Sequence, residues 1–235
     1  MFKTSFNWSS GKDAALALYH LQNDKEYKVD KLIVSVNADH NRVSMHGLRR
    51  ELLKKQVLSI GLPVETIELS STSDIENYNN EMKRSFQKII SDGYTHTGFG
   101  DIFLEDLRAY RENQLQPFNI KCCFPLWNRN TKDVLKEFMT LGFKAIVICI
   151  NAELLDVSFA GRIIDEDFIN DLPPNVDPCG ENGEFHTFCF DGPIFNKPID
   201  FTIGEKIYRE YDMPKQGDDE KSGKIGFWFC DLLPL

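Results

Sequence analysis

Phe6-Asn7-Trp8-Ser9-Ser10-Gly11-Lys12-Asp13-Ala14-Ala15 decides how this chain is read. A short strand, Lys3 to Trp8, enters a loop of small residues. It leaves as an apolar-periodic helix, about Lys12 to Asn23, with Ala15, Leu18, Tyr19 and Leu21 near one face. Ser9, Ser10 and Gly11 are small enough for a ligand to approach their amides closely. The first amides of a helix lack intrahelical partners and carry partial positive charge, so strand, loop and helix start together form an anion site. Lys12 adds a mobile cation. The same residues also suit an ordinary βα turn with a serine cap. The spacing is neither that of a Walker loop nor the Gly-x-Gly-x-x-Gly of dinucleotide folds.

Outward from this loop, strand and helix keep alternating. Lys31 to Asn37 is a β-branched run that reads as a buried parallel strand. It ends in the polar cluster Asn37-Ala38-Asp39-His40-Asn41, at the sheet edge where α/β folds bind ligands. Arg42 to Gly47 reads as a loop and Leu48 to Ile60 as a helix closed by Gly61 and Pro63. Val64 to Leu69 is a third strand, and Ile75 to Asp92 a helix ended by Gly93. Tyr94 to Ile102 is a fourth strand running into a glycine-flanked turn. This alternation predicts an α/β fold with a doubly wound parallel sheet.

The second half changes character. Helices are expected over Leu104–Leu115 and Thr131–Leu141, and a strand over Lys144–Ile150. A long turn-rich stretch, Asp171 to Gly183, precedes strands over Glu184–Phe190, Phe201–Arg209 and Lys224–Leu232. Met213 to Gly223 reads as a solvated loop. The predicted division is an N-terminal nucleotide-type domain, 1–118, and a smaller C-terminal α+β domain, 119–235. No flexible linker separates them, so the site is expected between them.

Composition narrows the classes. The 235 residues are 42% hydrophobic and 27% charged, which is ordinary for a globular chain. A net charge of −9 disfavours a broad footprint for nucleic acid. No apolar run approaches the roughly 18 residues that span a bilayer. Met1-Phe2-Lys3-Thr4 leads straight into a strand without a signal peptide, so a cytoplasmic location is expected. The six cysteines show neither C-x-x-C nor paired Cys/His zinc spacing, and read as buried reduced thiols.

Three further stretches carry candidate chemistry. Gly98-Phe99-Gly100-Asp101-Ile102, with Arg108, Arg111 and Glu112 downstream, permits close backbone approach at a strand's carboxyl edge. Pro125-Leu126-Trp127 reads as a packed corner. Cys179-Gly180-Glu181-Asn182-Gly183-Glu184-Phe185-His186-Thr187, followed by Asp191-Gly192-Pro193-Ile194-Phe195, gathers two carboxylates, two glycines and a histidine in one turn entering a strand. Such a group suits a metal, an amine or an acyl acceptor. With one histidine it makes an incomplete metal site, and it also reads as a polar turn with capping carboxylates.

Taken together, these motifs resemble the diphthine–ammonia ligase family, a PP-loop branch of the adenine nucleotide α-hydrolase-like proteins. The Ser9–Asp13 loop is similar to the family's Ser-Gly-Gly-Lys-Asp-Ser loop, with Ser10 in place of a glycine and Ala14 in place of a serine. Gly98–Ile102 with Arg111-Glu112-Asn113 and Pro125–Trp127, and Gly180–Thr187 with Asp191–Phe195, follow in the family's order. Met45-His46-Gly47-Leu48-Arg49 resembles its second-helix entrance.

The resemblance implies a Rossmann-like PP-loop fold and an ATP-dependent amidation. A carboxylate is adenylated, pyrophosphate leaves, ammonia attacks, and AMP is released. It implies ATP and Mg²⁺ as cofactors, held by Ser9, Ser10, Gly11, Lys12 and Asp13, with Asp13 on the metal. Asp39, His46, Gly98 and Asp101 fall on the nucleotide side. Arg111, Asn182, Gly183 and His186 fall on the acceptor side, and Lys12, Asp13, Glu181 and Glu184 carry catalysis. The His186-Thr187 version looks like the family's bacterial branch, whose members need an acceptor other than diphthine. A symmetric homodimer is the expected assembly. Two other functions fit the first loop: PP-loop tRNA modification, which the acidic charge and missing C-x-x-C weigh against, and a non-catalytic ATP-binding sensor.

Overall fold

The computed structural model describes residues 1–39, 42–43, 47–69, 75–212 and 223–235, with the side chains of all of these except 75–81. Two sheets organise the chain. The first contains β1 (Phe2–Asn7), β2 (Tyr27–Asn37), β3 (Arg42–Val43), β4 (Val64–Leu69), β5 (His96–Gly98) and β6 (Lys121–Cys123). Its parallel strands run β4-β2-β1-β5-β6. Val36 and Asn37 pair with β4 on one edge and with antiparallel β3 on the other. β3 therefore sits beyond the carboxyl end of β1.

In chain order the parallel strands read three, two, one, four, five. The order reverses between β1 and β5, and in open α/β sheets the ligand crevice lies outside the carboxyl ends of the strands at such a point. The loops that leave β1 and β5 are the small-residue loop at Ser9–Gly11 and the turn at Phe99–Asp101.

Both faces of this sheet are covered. Along β2, Leu32, Val34 and Val36 point into a core shared with α1 (Lys12–Asn23) and α2 (Arg50–Ile60), as strand alternation requires. Ile33 points the other way, to Phe86 and Ile89 of α3 (Ile75–Ser91) and Leu115 of α4 (Glu105–Leu115). The fold is the doubly wound α/β arrangement expected.

The second sheet is antiparallel, in the order β8 (Phe185–Asp191), β7 (Lys144–Asn151), β10 (Lys224–Pro234), β9 (Phe201–Asp212). Helices α5 (Thr131–Thr140) and α6 (Glu166–Asp171) accompany it. Asn130 caps α5 by accepting from the amides of Lys132 and Asp133. The core of α1 and α2 continues without a break into this sheet through Ile146, Ile148, Phe185 and Phe188.

β6 completes the first sheet, pairing His96 with Lys121 and Gly98 with Cys123. A division at residue 118 separates this strand from its partner, whereas a boundary after Cys123 leaves both sheets whole. All six cysteines are free thiols, five of them buried. Among the described residues, no helix is long and apolar enough to cross a membrane.

Candidate functional site

The edge of β8 docks on the β1–α1 loop. The amide of Cys189 donates to the carbonyl of Ser10 at 2.9 Å, and the amide of Lys12 donates to Thr187 Oγ1 at 3.1 Å. Gln56 of α2 braces the junction from below. Its Nε2 donates to the carbonyls of Ser10 (3.0 Å) and Cys189 (2.6 Å), while its Oε1 accepts from Trp8 Nε1 at 2.8 Å. Gln56 is fully buried, and every polar atom of its amide head is used in a place where an unpaired one would be costly.

Ser10 occupies the left-handed region at φ +72°, where a side chain is strained and glycine is not. Its hydroxyl is buried without a hydrogen-bond partner. α1 has no side-chain cap: Gly11 is its N-cap residue, and the nearest contact is from Gly11 N to Ser9 Oγ at 3.4 Å. Thr187 takes the Lys12 amide, and the amides that follow it in the first turn suit an anion.

Lys12 is 2% exposed. Its ammonium donates to Asp13 Oδ2 at 2.7 Å and to the carbonyl of Cys179, and lies 5.3 Å from the centre of the Phe185 ring. Burial alone would lower its pKa, but the negative groups around it, Asp13 first, outweigh that and hold it raised. Burial raises the pKa of Asp13 against the pull of Lys12. Asp13 Oδ1 is buried and unpartnered.

Over this pair folds the turn from Asp177 to Glu184. Gly180 (φ +72°) enters it because a Cβ there would lie 2.8 Å from the carbonyl of Phe185. Asp177 Oδ2 accepts from the amides of Cys179 and Glu181. Glu181 reaches across to the first sheet, where its Oε2 accepts from the amide of Ile102 at 3.1 Å. Burial, and then the charge of Asp13, push its carboxyl up to about 8.

Glu184 is engaged within the turn itself. It is 2% exposed, and its oxygens accept from the amides of Asp177 (2.9 Å) and Asn182 (2.8 Å) and from Asn182 Nδ2 (3.0 Å). Glu184 and Asn182 thus hold the turn in shape, with Gly183 (φ +86°) between them.

The glycines at the end of β5 and just after it allow close packing. A Cβ on Gly98 would lie 2.5 Å from Leu21 and 2.6 Å from Phe6, and one on Gly100 would lie 2.8 Å from the amide nitrogen of Ala14. They bring the strand and its turn close against α1. Asp101 pairs with Arg111, whose Nη2 donates to Oδ1 at 3.0 Å. Arg111 also stacks 4.4 Å over Phe99. The two are thus engaged with each other at the rim of the site.

His186 faces another way from Thr187, its neighbour on β8. It lines a cavity of about 590 Å³ between the sheets, along with Asn37, Arg49, Arg209, Tyr211 and Phe229. In the cavity lining Asp231 accepts from Arg42 (3.0 Å) and from Arg49 Nη2 (2.6 Å). Gly47 permits this packing, since a Cβ on it would lie 3.3 Å from Phe229. Asp39 is exposed in the turn after β2, beside the cavity's Asn37. His46 lies outside the described residues. The loop, Lys12, Asp13 and Glu181 are therefore gathered together, and His186 lies in an adjoining space.

Sequence reasoning missed Gln56, Thr187 and Asp177. The signal for Gln56 was present: it falls in the apolar register of α2 with Leu52, Leu53, Val57 and Ile60, all buried.

Residues 2–115 match the model of the diphthamide synthase N-terminal domain, and residues 130–216 that of the C-terminal domain. The chain belongs to the diphthamide synthase family. Curated members named diphthine–ammonia ligase align with it. The Bos taurus protein is 32% identical over 118 residues, covering 48% of this chain and 44% of its own length. That of Schizosaccharomyces pombe is 24% identical over 203 residues, covering 82% of this chain and 32% of its own. The chain thus spans less than half of the first curated family members it matches. Among solved structures, a U34-tRNA thiolase from Methanococcus maripaludis aligns at 13% identity with a TM-score of 0.39, covering 60% of this chain and 58% of that one.

Proposed function

We propose that this protein is an ATP-dependent, AMP-forming ligase that adenylates a carboxylate and passes the acyl group to ammonia. The observation that carries the proposal is the Lys12–Asp13–Glu181 group, a buried lysine with two half-buried carboxylates, which stands at the start of α1 and at the point where the strand order reverses. Membership of the diphthamide synthase family supports the same reaction class.

In this reading Ser9, Ser10, Gly11 and the first amides of α1 cradle phosphate oxygens, and the Lys12 ammonium offsets charge that grows at phosphorus. The unpartnered Oδ1 of Asp13 fits a cation. Among the described residues no three His, Cys, Asp or Glu side chains converge as a metal site, so Asp13 would serve as a protein ligand to a Mg²⁺ otherwise held by phosphate oxygens. When bound, that ion supplies charge neutralisation. The cavity beside Asn37 and Asp39 at the carboxyl end of β2 offers the nucleoside its place, with His186 on its wall. Gly98 and Asp101 position the turn after β5, and Arg111 holds Asp101.

Glu181 takes the acid–base step. An ammonia molecule that attacks an acyl carbon must lose a proton as AMP leaves. A carboxylate with a pKa of about 8 suits that transfer near neutral pH. Asn182, Gly183 and Glu184 fix the turn that carries it. Lys12 is covered by this turn, so nucleotide entry requires the turn from Asp177 to Glu184 to lift. Closing again excludes water from an adenylate that water would hydrolyse.

The deciding experiment supplies ATP, Mg²⁺ and ammonium with candidate carboxylates and identifies the nucleotide product. AMP with pyrophosphate, lost in Lys12→Met, is the expected result. ADP with phosphate overturns the mechanism. Tight ATP binding without turnover on any acceptor favours a sensor.

A further inference from the structure

One wall of the inter-sheet cavity is aromatic and is built from the β9–β10 pair. Arg209 stands opposite Phe227 in the register, and Ile207 opposite Phe229. Ile207, Arg209 and Tyr211 share the face that Phe227 and Phe229 present to the cavity. The ring of Tyr211 lies 6.0 Å from that of Phe227 and 6.4 Å from that of Phe229. Ile207 (41%) and Tyr211 (46%) remain exposed. Apolar and aromatic surface within a concavity, with a few placed polar groups, is what takes the body of a small ligand.

The charges that line the cavity are unequal in number and in use. Three guanidinium groups, of Arg42, Arg49 and Arg209, face one carboxylate, that of Asp231. Asp231 occupies two of them: Arg49 donates to it from Nε (3.0 Å) and Nη2 (2.6 Å), and Arg42 from Nη1 (3.0 Å). The Arg209 side chain makes no ion pair or hydrogen bond with the described residues. The Tyr211 hydroxyl, two residues along the same face, makes no hydrogen bond with them either. An unspent cation and a hydroxyl therefore stand beside three rings.

We propose that this wall is the acceptor subsite, and that the acceptor is a dianion: an aromatic or apolar body carrying a second acidic group besides the carboxylate to be amidated. The inference rests on the adenylation reading and deepens it. The second acid pairs with the fork of Arg209 and accepts from the Tyr211 hydroxyl. The body covers Tyr211, Phe227 and Phe229.

The acid at Arg209 is not the one that reacts. A guanidinium favours the charged form of a carboxylate and spends its lone pairs, which makes it a poor nucleophile toward phosphorus. The reacting carboxylate is a different group, at the end of the acceptor that points toward β8. There His186 lines the cavity, and Thr187, next to it in the strand, accepts from the amide of Lys12. One strand thus separates the cavity from the phosphate loop. The surplus of guanidinium also sets what is refused: a fixed positive charge in place of the second acid meets Arg209.

Isothermal titration of the full chain with three aromatic probes of similar shape tests this. They are p-phenylenediacetate, with two acids; p-tolylacetate, with one; and p-(aminomethyl)phenylacetate, with one acid and a cation. The dianion is expected to bind roughly tenfold tighter than the monoanion, and the ammonium probe most weakly. Arg209→Gln brings the dianion down to the affinity of p-tolylacetate, while Arg209→Lys keeps part of the preference. Tyr211→Ala weakens all three probes. ATP affinity, titrated separately, stays the same in Arg209→Gln. Equal affinity for the three probes, a dianion preference that survives Arg209→Gln, or no dianion binding at millimolar concentration overturns the proposal. Lost ATP affinity in Arg209→Gln or Tyr211→Ala, with probe binding unchanged, gives the wall to the nucleobase and overturns it as well. Failure of the adenylation reading shows elsewhere, as ADP or missing AMP in the product assay while the probes still bind in the expected order.

Discussion

Lys12 and Cys179 join the two sheets: the ammonium at the start of α1 donates to a backbone carbonyl of the turn that precedes β8. The same ammonium pairs with Asp13, so one buried charge ties the loop, the helix and the overlying turn together. Removing it leaves the half-buried Asp13 without its partner. Lys12→Met is expected to lower unfolding free energy by about 3 kcal/mol, the usual cost of breaking a buried pair from one side. Chemical denaturation measures this directly. A stable variant that had lost only turnover would assign Lys12 to catalysis alone.

Glu181 sets a pH dependence. Its pKa is raised to about 8 in the folded chain, from an ordinary carboxyl value when unfolded, by burial and then by the charge of Asp13. Between these values the folded state binds the extra proton, so the contribution of Glu181 to stability falls as pH rises from about 4.5 to 8. As a base in the amidation, it makes the rate rise over the upper part of the same window. Glu181→Gln should flatten both curves. Melting temperature and amide formation followed from pH 6 to 9 check this, and unchanged profiles would place the titrating group elsewhere.

Ser10 bears strain that glycine would not. A side chain at φ +72° costs about 1–2 kcal/mol, and the Ser10 hydroxyl is buried without a partner. Glycine's extra unfolded-state entropy offsets about 0.5–1 kcal/mol of any gain. Ser10→Gly is therefore expected to stabilise the chain by about 1 kcal/mol, which for this size raises Tm by roughly 2–4 °C. Differential scanning calorimetry settles the sign. A lower Tm would mean that the hydroxyl has a partner in solution that outweighs the strain.

The elements legible in the sequence were those defined by local chemistry. α1 begins at Lys12 because Ser9-Ser10-Gly11 interrupts the strand before it, and β4 is bounded by Gly61-Leu62-Pro63 and the polar run after Leu69. β6 was not legible. Three residues, Lys121-Cys122-Cys123, make no periodic pattern, and the strand exists through its pairing with β5. α6 was hidden by the turn residues after it, although Asp165 caps it by accepting from the amide of Phe168. At the site, the spacing of Glu181 and Glu184 is visible in the sequence but their division of labour is not. One reaches across to Ile102 and the other turns inward to Asp177 and Asn182, and only the closed turn separates them. The pairing of Asp231 with Arg42 and Arg49 joins positions far apart in the chain and leaves no local trace.

Gln56 tests whether the junction of the sheets is a working part of the site. Its head group satisfies Trp8 Nε1 and the carbonyls of Ser10 and Cys189 at once. Gln56→Leu keeps much of the volume and leaves the indole N–H without its acceptor and the two carbonyls without this donor. The carbonyl of Ser10 keeps the amide of Cys189, so its loss is partial. A destabilisation of about 2 kcal/mol is expected from buried polar groups losing partners. Because Ser10 lies in the proposed phosphate loop, ATP affinity should fall as well, while a control such as Leu58→Ala on the exposed face of α2 leaves both unchanged. Isothermal titration with ATP, run beside urea denaturation, separates the two effects. Lost stability with undiminished ATP affinity would show that Gln56 supports the fold without shaping the loop. A loss of both is the outcome expected if β8 and α2 hold the loop in the form that binds nucleotide.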